Sequence, residues 1–275
     1  MELYVGIITY NPDISRLEDC ILSIIFQVEQ IIVVDNSSDN ILEMKKRLNK
    51  LNDNIIIIEN ESNKGVAYAL NQIFLWGYSN EYKYVLTLDQ DSKCPKQMIN
   101  ILKSYICMDK IAVVGPQIYD INKRENISIK EGYTKVNNCI TSGSMNSIEA
   151  WKKIGGFDEW MFIDGVDFDY CFRLRKNGYQ ILQINNIVLE HQIGNIQIRH
   201  FLFWKVIVRN HSSFRKYYIA RNMIYFDKKN KQKKIPLKAS IRIVKQLLLV
   251  LLYEKQKSEK IVQILRGFWD GIKSK

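Results

Sequence analysis

Apolar residues fall along the chain in two rhythms, and the alternation between them predicts its elements. Leu3–Thr9, Ile31–Asp35, Ile55–Ile58 and the run from Tyr84 to Asp91 are apolar at most positions and rich in Val and Ile. Such runs read as strands buried on both faces. Between them the apolar spacing lengthens. Residues 14–28 carry Ile14, Leu17, Ile21, Leu22 and Ile25 at helical intervals, residues 41–51 form a more polar helix, and a helix with Ala67, Ala69, Leu70 and Asn71 follows the turn at Asn60–Gly65. Strands alternating with helices through short connections predict a parallel sheet covered on both faces.

From residue 111 the rhythm changes. Ile111–Pro116 is a further strand, and residues 117–140 read as a polar excursion of loops or short strands. Thr141–Ser144 is a small-residue loop in which Gly143 permits close approach of a ligand. A short helix over 147–154 ends at Gly155-Gly156, a second runs to Lys176 and stops at Asn177-Gly178, and Ile181–Leu189 is again a strand. Beyond residue 197 the pattern reads as helical and basic, with an aromatic- and Arg-rich stretch over 200–226, a solvated charge run over 227–234, and amphipathic helices over 237–252 and 258–272. The expected boundaries are a domain at 1–198, with halves 1–115 and 116–198, and a basic helical region at 199–275.

Composition narrows the class. With 47% hydrophobic and 25% charged residues, the chain is globular, and 13 Gly, 4 Pro and no low-complexity tract argue against a repeat protein. The five cysteines form no Cys-x-x-Cys pair, which points to reduced thiols in a cytosolic setting and away from a disulfide frame or zinc site. Met1-Glu2 leads straight into a strand, so no secretory leader is expected, and the longest wholly aliphatic run, Leu247–Leu252, is too short to span a membrane. The net charge of +11 is unevenly placed. Residues 191–275 hold 20 Lys and Arg against 4 Asp and Glu, whereas residues 1–190 hold 20 against 25. Such asymmetry fits an acidic working domain with a basic arm for phosphate-rich partners or an anionic membrane.

The candidate chemistry starts at Asp89-Gln90-Asp91, where the fourth strand ends in two carboxylates followed by Ser92 and Pro95. In open α/β sheets the carboxyl ends of strands face the ligand crevice. Two carboxylates there suit a hard divalent cation that fills its remaining positions with water and phosphate oxygens. Alone, the triplet also reads as a solvated acidic turn. Around it stand a strand ending in Asp35, the turn Asn63-x-Gly65, the segment Gly156-Phe-Asp-Glu, and Asp167-x-Asp169-x-x-x-Arg173, in that order.

This ordered set resembles the family 2 inverting glycosyltransferases of the GT-A fold, over roughly residues 3–195. Asp89-Gln-Asp91 together with Ile163-Asp164-Gly-Val166-Asp167 looks most like the bacterial rhamnosyltransferase branch. The resemblance implies an α/β fold with a Rossmann-like, mostly parallel sheet flanked by helices, extended here by the basic C-terminal region. It implies a dTDP-L-rhamnose donor, a saccharide or lipid-linked saccharide acceptor in cell-surface polysaccharide synthesis, and a Mg²⁺ or Mn²⁺ ion. Asp89 and Asp91 match the metal-holding pair, Asp91 touching the ion more directly, and His191 is a third ligand or a structural histidine. Thr9, Tyr10, Asn11 and Asp35 match positions that read the pyrimidine and ribose, while Asn63, Gly65, Asp89 and Gln90 complete the donor site. Asp35 reads equally as a turn-former with Asn36, and Asn63 as a helix cap.

Inverting transfer also needs a general base for the acceptor hydroxyl. Counted back from Arg173, Asp167 falls at the family's base position, although Val166 replaces the commoner Glu. Asp169 and Asp164 are rivals. In helical geometry Asp164 and Asp167 share a face, so repulsion would raise one pKa; acids enriched at a helix start for dipole reasons are the plainer reading. Trp151 and Trp160 flank this segment, to stack on an acceptor sugar or to pack in the core, and His200 and His211 read as surface or packing residues.

Residues 237–252 place Leu237, Ile241, Val244, Leu248 and Leu251 at helical spacing beside Lys238, Arg242 and Lys245. That pattern fits an interfacial helix on an anionic membrane, or a helix packed on the catalytic domain. The expected location is cytoplasmic, peripheral on the inner face of the plasma membrane. The chain lacks the Gln-x-x-Arg-Trp signature of processive synthases, so addition of one or a few residues is expected. Rival readings are a UDP-hexose donor, a nucleotidyltransferase, for which Thr9-Tyr-Asn-Pro12 is not the Gly-rich basic loop required, and a nucleic-acid-binding protein. No known nucleic-acid module accompanies the basic tail, so nucleic acid is not an expected partner.

Overall fold

A computed structural model describes residues 2–120, 129–191, 197–201, 204–231 and 237–274. They fall into two compact units. The described residues of Met1–Tyr119, Asn126–Phe162 and Val166–His191 form the first, and those of Asp120–Glu125, Ile163–Gly165 and Gln192–Lys275 form the second.

The first unit is built on an eight-stranded sheet. Its elements are β1 (Leu3–Thr9), α1 (Ile14–Leu22), β2 (Ile31–Asp35), α2 (Ile41–Leu48), β3 (Ile55–Glu59), α3 (Val66–Ser79), β4 (Tyr84–Asp89) and α4 (Met98–Ile106). There follow β5 (Ile111–Asp120), β6 (Tyr133–Lys135), β7 (Ser144–Ser147), α5 (Ile148–Lys153), α6 (Val166–Lys176) and β8 (Gln180–His191). Strand order is β3-β2-β1-β4-β7-β5-β8-β6. The first four strands pair in parallel, as the alternating pattern predicts. Beyond β4 antiparallel pairing enters, β7 running against both β4 and β5 and β6 against β8.

The apolar runs explain the packing. All five residues of β2 are buried, and Val5, Ile7, Ile31, Val33, Leu86 and Leu88 share one core with α1, α2 and α4. Burying each such side chain contributes about 1.5–3 kcal/mol. Helix α3 lies close against β1. The Tyr4 hydroxyl donates to the Ile73 carbonyl at 2.7 Å, and a Cβ on Gly77 would overlap the Tyr4 ring.

Several elements depart from the sequence pattern, among them the charge run from 227, expected to be solvated, which is helical as far as Lys231 with Asp227 buried. Helix α1 stops at Leu22 and does not continue to residue 28. Ser23 Oγ donates to the Cys20 carbonyl at 2.6 Å, and the chain then turns so that Ile24 and Ile25 enter the core while Phe26 stays exposed. Residues 197–201 and 204–208, read as the start of a helical region, form two strands paired antiparallel, β9 (Gln197–Phe201) and β10 (Trp204–Val208). Their β-branched and aromatic residues, among them Ile198, Phe201, Trp204, Val206, Ile207 and Val208, favour strands.

The rest of the second unit is three helices, α7 (Ser213–Lys231), α8 (Leu237–Tyr253) and α9 (Lys257–Lys273). Their shared core includes Ala220, Ile224, Ala239, Ile243, Val250 and Ile264. Gly267 and Gly271 bring α9 against the backbone of α7; a Cβ on Gly271 would stand 2.7 Å from the Arg221 carbonyl oxygen. Buried Glu254 accepts from Lys216 Nζ at 2.6 Å and from Lys260 Nζ at 2.8 Å. Among the described residues no helix is long and apolar enough to cross a membrane. The five cysteines are free thiols, and burial pushes Cys94 and Cys171 up to about 12, so neither is a ready nucleophile at neutral pH.

Candidate active site

Register brings three carboxyl ends of parallel strands together. Thr9 stands opposite Asp35, and Ile8 opposite Asp89, so β2, β1 and β4 finish side by side. Asp35 is 1% exposed. Its Oδ1 accepts from the Thr9 hydroxyl at 2.8 Å and the Ser38 hydroxyl at 2.5 Å, and its Oδ2 from the Ser38 amide at 2.8 Å. The turn it closes therefore reaches Ser38, two residues beyond Asn36. Ser38 Oγ in turn accepts from the Asn11 amide at 2.7 Å, and Asn11 Oδ1 accepts from the Asp39 amide at 2.8 Å. Gln90 Oε1 accepts from the Tyr10 amide at 2.9 Å. Short polar side chains thus tie the loops after β1, β2 and β4 into one rim.

The two carboxylates of the Asp89-Gln-Asp91 turn differ in exposure, Asp89 half-buried and Asp91 exposed. The turn rests on the small-residue loop 141–144. The Asp89 amide donates to Ser142 Oγ at 3.2 Å, Ser92 and Ser142 share a hydroxyl–hydroxyl bond of 2.7 Å, and Thr87 Oγ1 donates to the Thr141 carbonyl at 2.6 Å. Two oxygen-donor side chains at an open rim suit a divalent cation that keeps water and phosphate oxygens in its shell. Among the described residues no three His, Cys, Asp or Glu side chains converge into a closed metal site. His191 ends β8, and the side-chain position expected to supply a third ligand lies outside what the structure describes.

Across the first unit, the turn before α3 is joined to the acidic segment. Asn63 Oδ1 accepts from the Gly65 amide at 2.9 Å, which makes an Asx turn, while Gly65 itself, at φ +88°, occupies the cap position of α3. The amides of Val66 and Ala67 donate to the Phe162 carbonyl at 2.7 and 3.4 Å. A Cβ on Gly65 would meet both the Phe162 ring and its carbonyl at 2.6 Å. Phe162 holds φ 61° and ψ −67°, a conformation costing about 1–3 kcal/mol that persists only where its surroundings enforce it.

Asn71, on α3, holds the next turn upstream. Its Nδ2 donates to the Phe157 carbonyl and Glu159 Oε1, at 2.9 and 2.8 Å, and its Oδ1 accepts from Trp151 Nε1 and the Phe157 amide, at 3.0 and 2.8 Å. In the sequence this residue reads as one more helix position. Its signal was a lone amide on a helix face otherwise filled by Ala67, Leu70 and Phe74. Trp151 is buried here, and Trp160 is exposed.

The three candidate bases are placed very differently. Asp169 is wholly buried, and Arg173 Nε donates to it at 2.6 Å while Arg173 Nη1 donates to the Ile154 carbonyl at 3.0 Å. Asp164 belongs to the second unit. Its carboxylate takes the fork of Arg215 at 3.0 and 2.5 Å, and Asn222 Nδ2 donates at 2.8 Å to both its carbonyl and that of Ile163. The helix starts only at Val166, and Asp164 sits at φ 63° before it, so Asp164 and Asp167 do not share a helical face as expected. Asp167 stands in the first turn of α6, half-buried, with Oδ1 accepting from the Phe168 amide at 2.9 Å. Histidine 211 is half-buried in the second unit, where burial and neighbouring Arg215 push it down to about 4.

A half-parallel α/β sheet with a carboxylate pair at a central strand end and an acidic helix start is the architecture of a GT-A glycosyltransferase. Residues 4–167 match Glycosyl transferase family 2, and the chain belongs to that family. Along nearly its whole length it is similar to "dTDP-rhamnosyl transferase RfbF" of Shigella flexneri, 28% identical over 291 residues that cover 98% of this chain and 95% of the relative. Its fold is shared with S. aureus TarS residues 1–349 in complex with UDP-GlcNAc, at a TM-score of 0.64 and 16% identity, covering 99% of this chain and 82% of that one. It is shared also with GalNAc-T7 crystallised with UDP, GalNAc and Mn²⁺, at a TM-score of 0.63 and 13% identity. There the match covers 83% of this chain and spans about half, 48%, of the other.

Proposed function

We propose that this glycosyltransferase moves L-rhamnose from dTDP-L-rhamnose to a saccharide or lipid-linked saccharide acceptor, inverting the anomeric centre, at the cytoplasmic side of a membrane. The observation that carries the donor assignment is the end-to-end likeness to a dTDP-rhamnosyl transferase, which extends well beyond the family-matched residues. The flush strand ends support the site. Asp89 and Asp91 would hold Mg²⁺ or Mn²⁺, which when bound neutralises the departing nucleoside diphosphate.

In this reading Asp167 takes the proton from the acceptor hydroxyl as that oxygen attacks the anomeric carbon from the face opposite the diphosphate. Asp169 and Asp164, each engaged by an arginine, position the backbone on either side of it. Asp35 has three of its roughly four acceptor sites filled by protein donors. It acts chiefly by fixing the loops of Thr9, Tyr10, Asn11 and Gln90, through which the pyrimidine and ribose are read. Asn63 and Gly65 set the wall beside the nucleotide.

The test is a melting-temperature screen of nucleotide sugars with Mg²⁺ or Mn²⁺, paired with a transfer assay. Ligand binding stabilises by RT ln(1 + [L]/Kd). The largest shift is expected with dTDP-L-rhamnose, and Asp91→Ala should remove the metal-dependent part of it. A larger shift with a UDP-sugar would favour the second reading, a UDP-hexose donor, for which the UDP and UDP-GlcNAc complexes of the structural neighbours speak.

A further inference from the structure

Helix α8 has two apolar faces, and only one of them is inside the protein. Ala239, Ile243 and Val250 fill the core of the second unit. Leu237, Ile241, Val244, Leu248, Leu251 and Leu252 are 49–65% exposed. At about 100° per residue these six fall within an arc about 100° wide, on the far side of the helix from the buried three. Single exposed leucines need no explanation; a continuous stripe along a whole helix does.

We propose that this outward face of α8 docks on an anionic lipid bilayer, the stripe entering the boundary between headgroups and acyl chains. Charge selects this occupant. Lys238, Arg242 and Lys245 are all exposed and follow one flank of the stripe, and no Asp or Glu occurs between Leu237 and Tyr253. A cationic edge beside an apolar stripe matches anionic headgroups above hydrocarbon. Helix α9 repeats the pattern more weakly, with Val262, Leu265 and Trp269 exposed at helical spacing. At 17 residues α8 is about 25 Å long at 1.5 Å per residue, and no described helix is long and apolar enough to cross a membrane, so the contact is along the surface. A nucleic acid would engage the cations and leave six apolar side chains in water. A second copy would cover the stripe but bring cationic flanks together.

The surface would bring the enzyme to a lipid-linked acceptor and rests on the transfer reading only for that purpose, because its test measures binding alone. The full chain is sedimented with phosphatidylcholine vesicles with and without phosphatidylglycerol. It should sediment with the anionic vesicles at low salt and release at high salt, where the Debye length shortens to a few ångströms. Replacing the three cations (Lys238→Gln, Arg242→Gln, Lys245→Gln) should weaken partitioning on the order of a hundredfold, at about fivefold per cation. The pair Ile241→Ser and Leu248→Ser should abolish it at every salt concentration, with circular dichroism, melting curve and donor binding unchanged. The proposal is overturned if wild type stays in the supernatant, or if the serine pair sediments like wild type. It is equally overturned if the serine pair lowers the melting temperature, which would make the stripe interior. Two further results would overturn it in the absence of vesicle binding: a wild-type dimer that the serine pair dissociates, or a salt-sensitive complex with an oligonucleotide.

Discussion

The rim of the parallel sheet and the acidic segment around α6 both gather carboxylates, yet they hold them by opposite means. At the rim, Asp35 is satisfied by neutral donors within reach of its own loop, the Thr9 and Ser38 hydroxyls and the Ser38 amide. In the segment, Asp164 and Asp169 are held by guanidinium groups, one of them 51 residues away. Neutral hydrogen bonds contribute about 0.5–1.5 kcal/mol each and leave the carboxylate charge uncancelled, which would suit the cation proposed for this rim. Arginine pairs cancel the charge of their partners, which suits a segment where one carboxylate must differ from its neighbours. The difference teaches that three acids in six residues need not share a task.

The sharpest way to break that comparison is to remove single charges. Asp167→Asn is expected to lower turnover about 10²–10⁴-fold, the usual worth of a positioned general base, while leaving the donor-induced melting shift intact. Asp169→Asn should do the reverse. It leaves the half-buried Arg173 with a weakened partner, at a cost of up to about 3 kcal/mol, and transfer by the folded fraction should persist. Transfer rates and melting curves on both variants check this, and near-full turnover by Asp167→Asn would overturn the base assignment.

Glu254 offers the same test in the second unit, with the sign of the excess reversed, because one buried carboxylate faces two lysines. Glu254→Gln strands Lys216 and Lys260 and should cost about 3–5 kcal/mol, visible in denaturant unfolding. Glu254→Gln together with Lys216→Met should recover part of the loss; if the double variant is no more stable than the single, the lysines are not coupled through this carboxylate.

Gly65→Ala probes the join between the two regions. It forces a Cβ at φ +88° into the Phe162 ring and carbonyl, and should cost about 1–3 kcal/mol. Because Phe162 lies a few residues before Asp167 and accepts the first amides of α3, turnover should fall more than donor affinity. Equal losses in kcat and donor affinity would show that the join only supports the nucleotide side.

Much of this was legible in the sequence where the signal is local. Strands β1 to β4 are apolar at nearly every position, and their carboxyl-terminal acids could be placed at a rim because parallel strands end together. The strand pair β9–β10 was hidden because its basic, aromatic composition resembles the helices that follow it. The separation of Asp164 from α6 was hidden for a different reason. Gly165 and a left-handed backbone at Asp164 delay the helix start, and the pairing with Arg215 depends on contacts far apart in sequence. Asn71 left only a faint mark, a lone amide on an apolar face, because a side chain with four hydrogen bonds and one with none look alike in a helix pattern.

The smallest effect tests the Arg215 arrangement by pH. Histidine 211 is pushed down to about 4, first by burial and then by Arg215, with Lys216 and Arg209 adding to the same direction and Asp164 opposing it. An unfolded histidine titrates near 6.5. Between these values the unfolded chain binds a proton that the folded chain refuses, so the stability this residue contributes is complete above about 6.5 and is lost as pH falls toward 4. His211 is only half-buried, which makes the loss modest. Melting temperatures at pH 7 and pH 5 should therefore fall further for wild type than for His211→Gln, which has nothing to protonate. Parallel falls for the two proteins would mean that His211 titrates alike in the folded and unfolded chain, and that the Arg215 guanidinium lies too far from the imidazole to repel its proton.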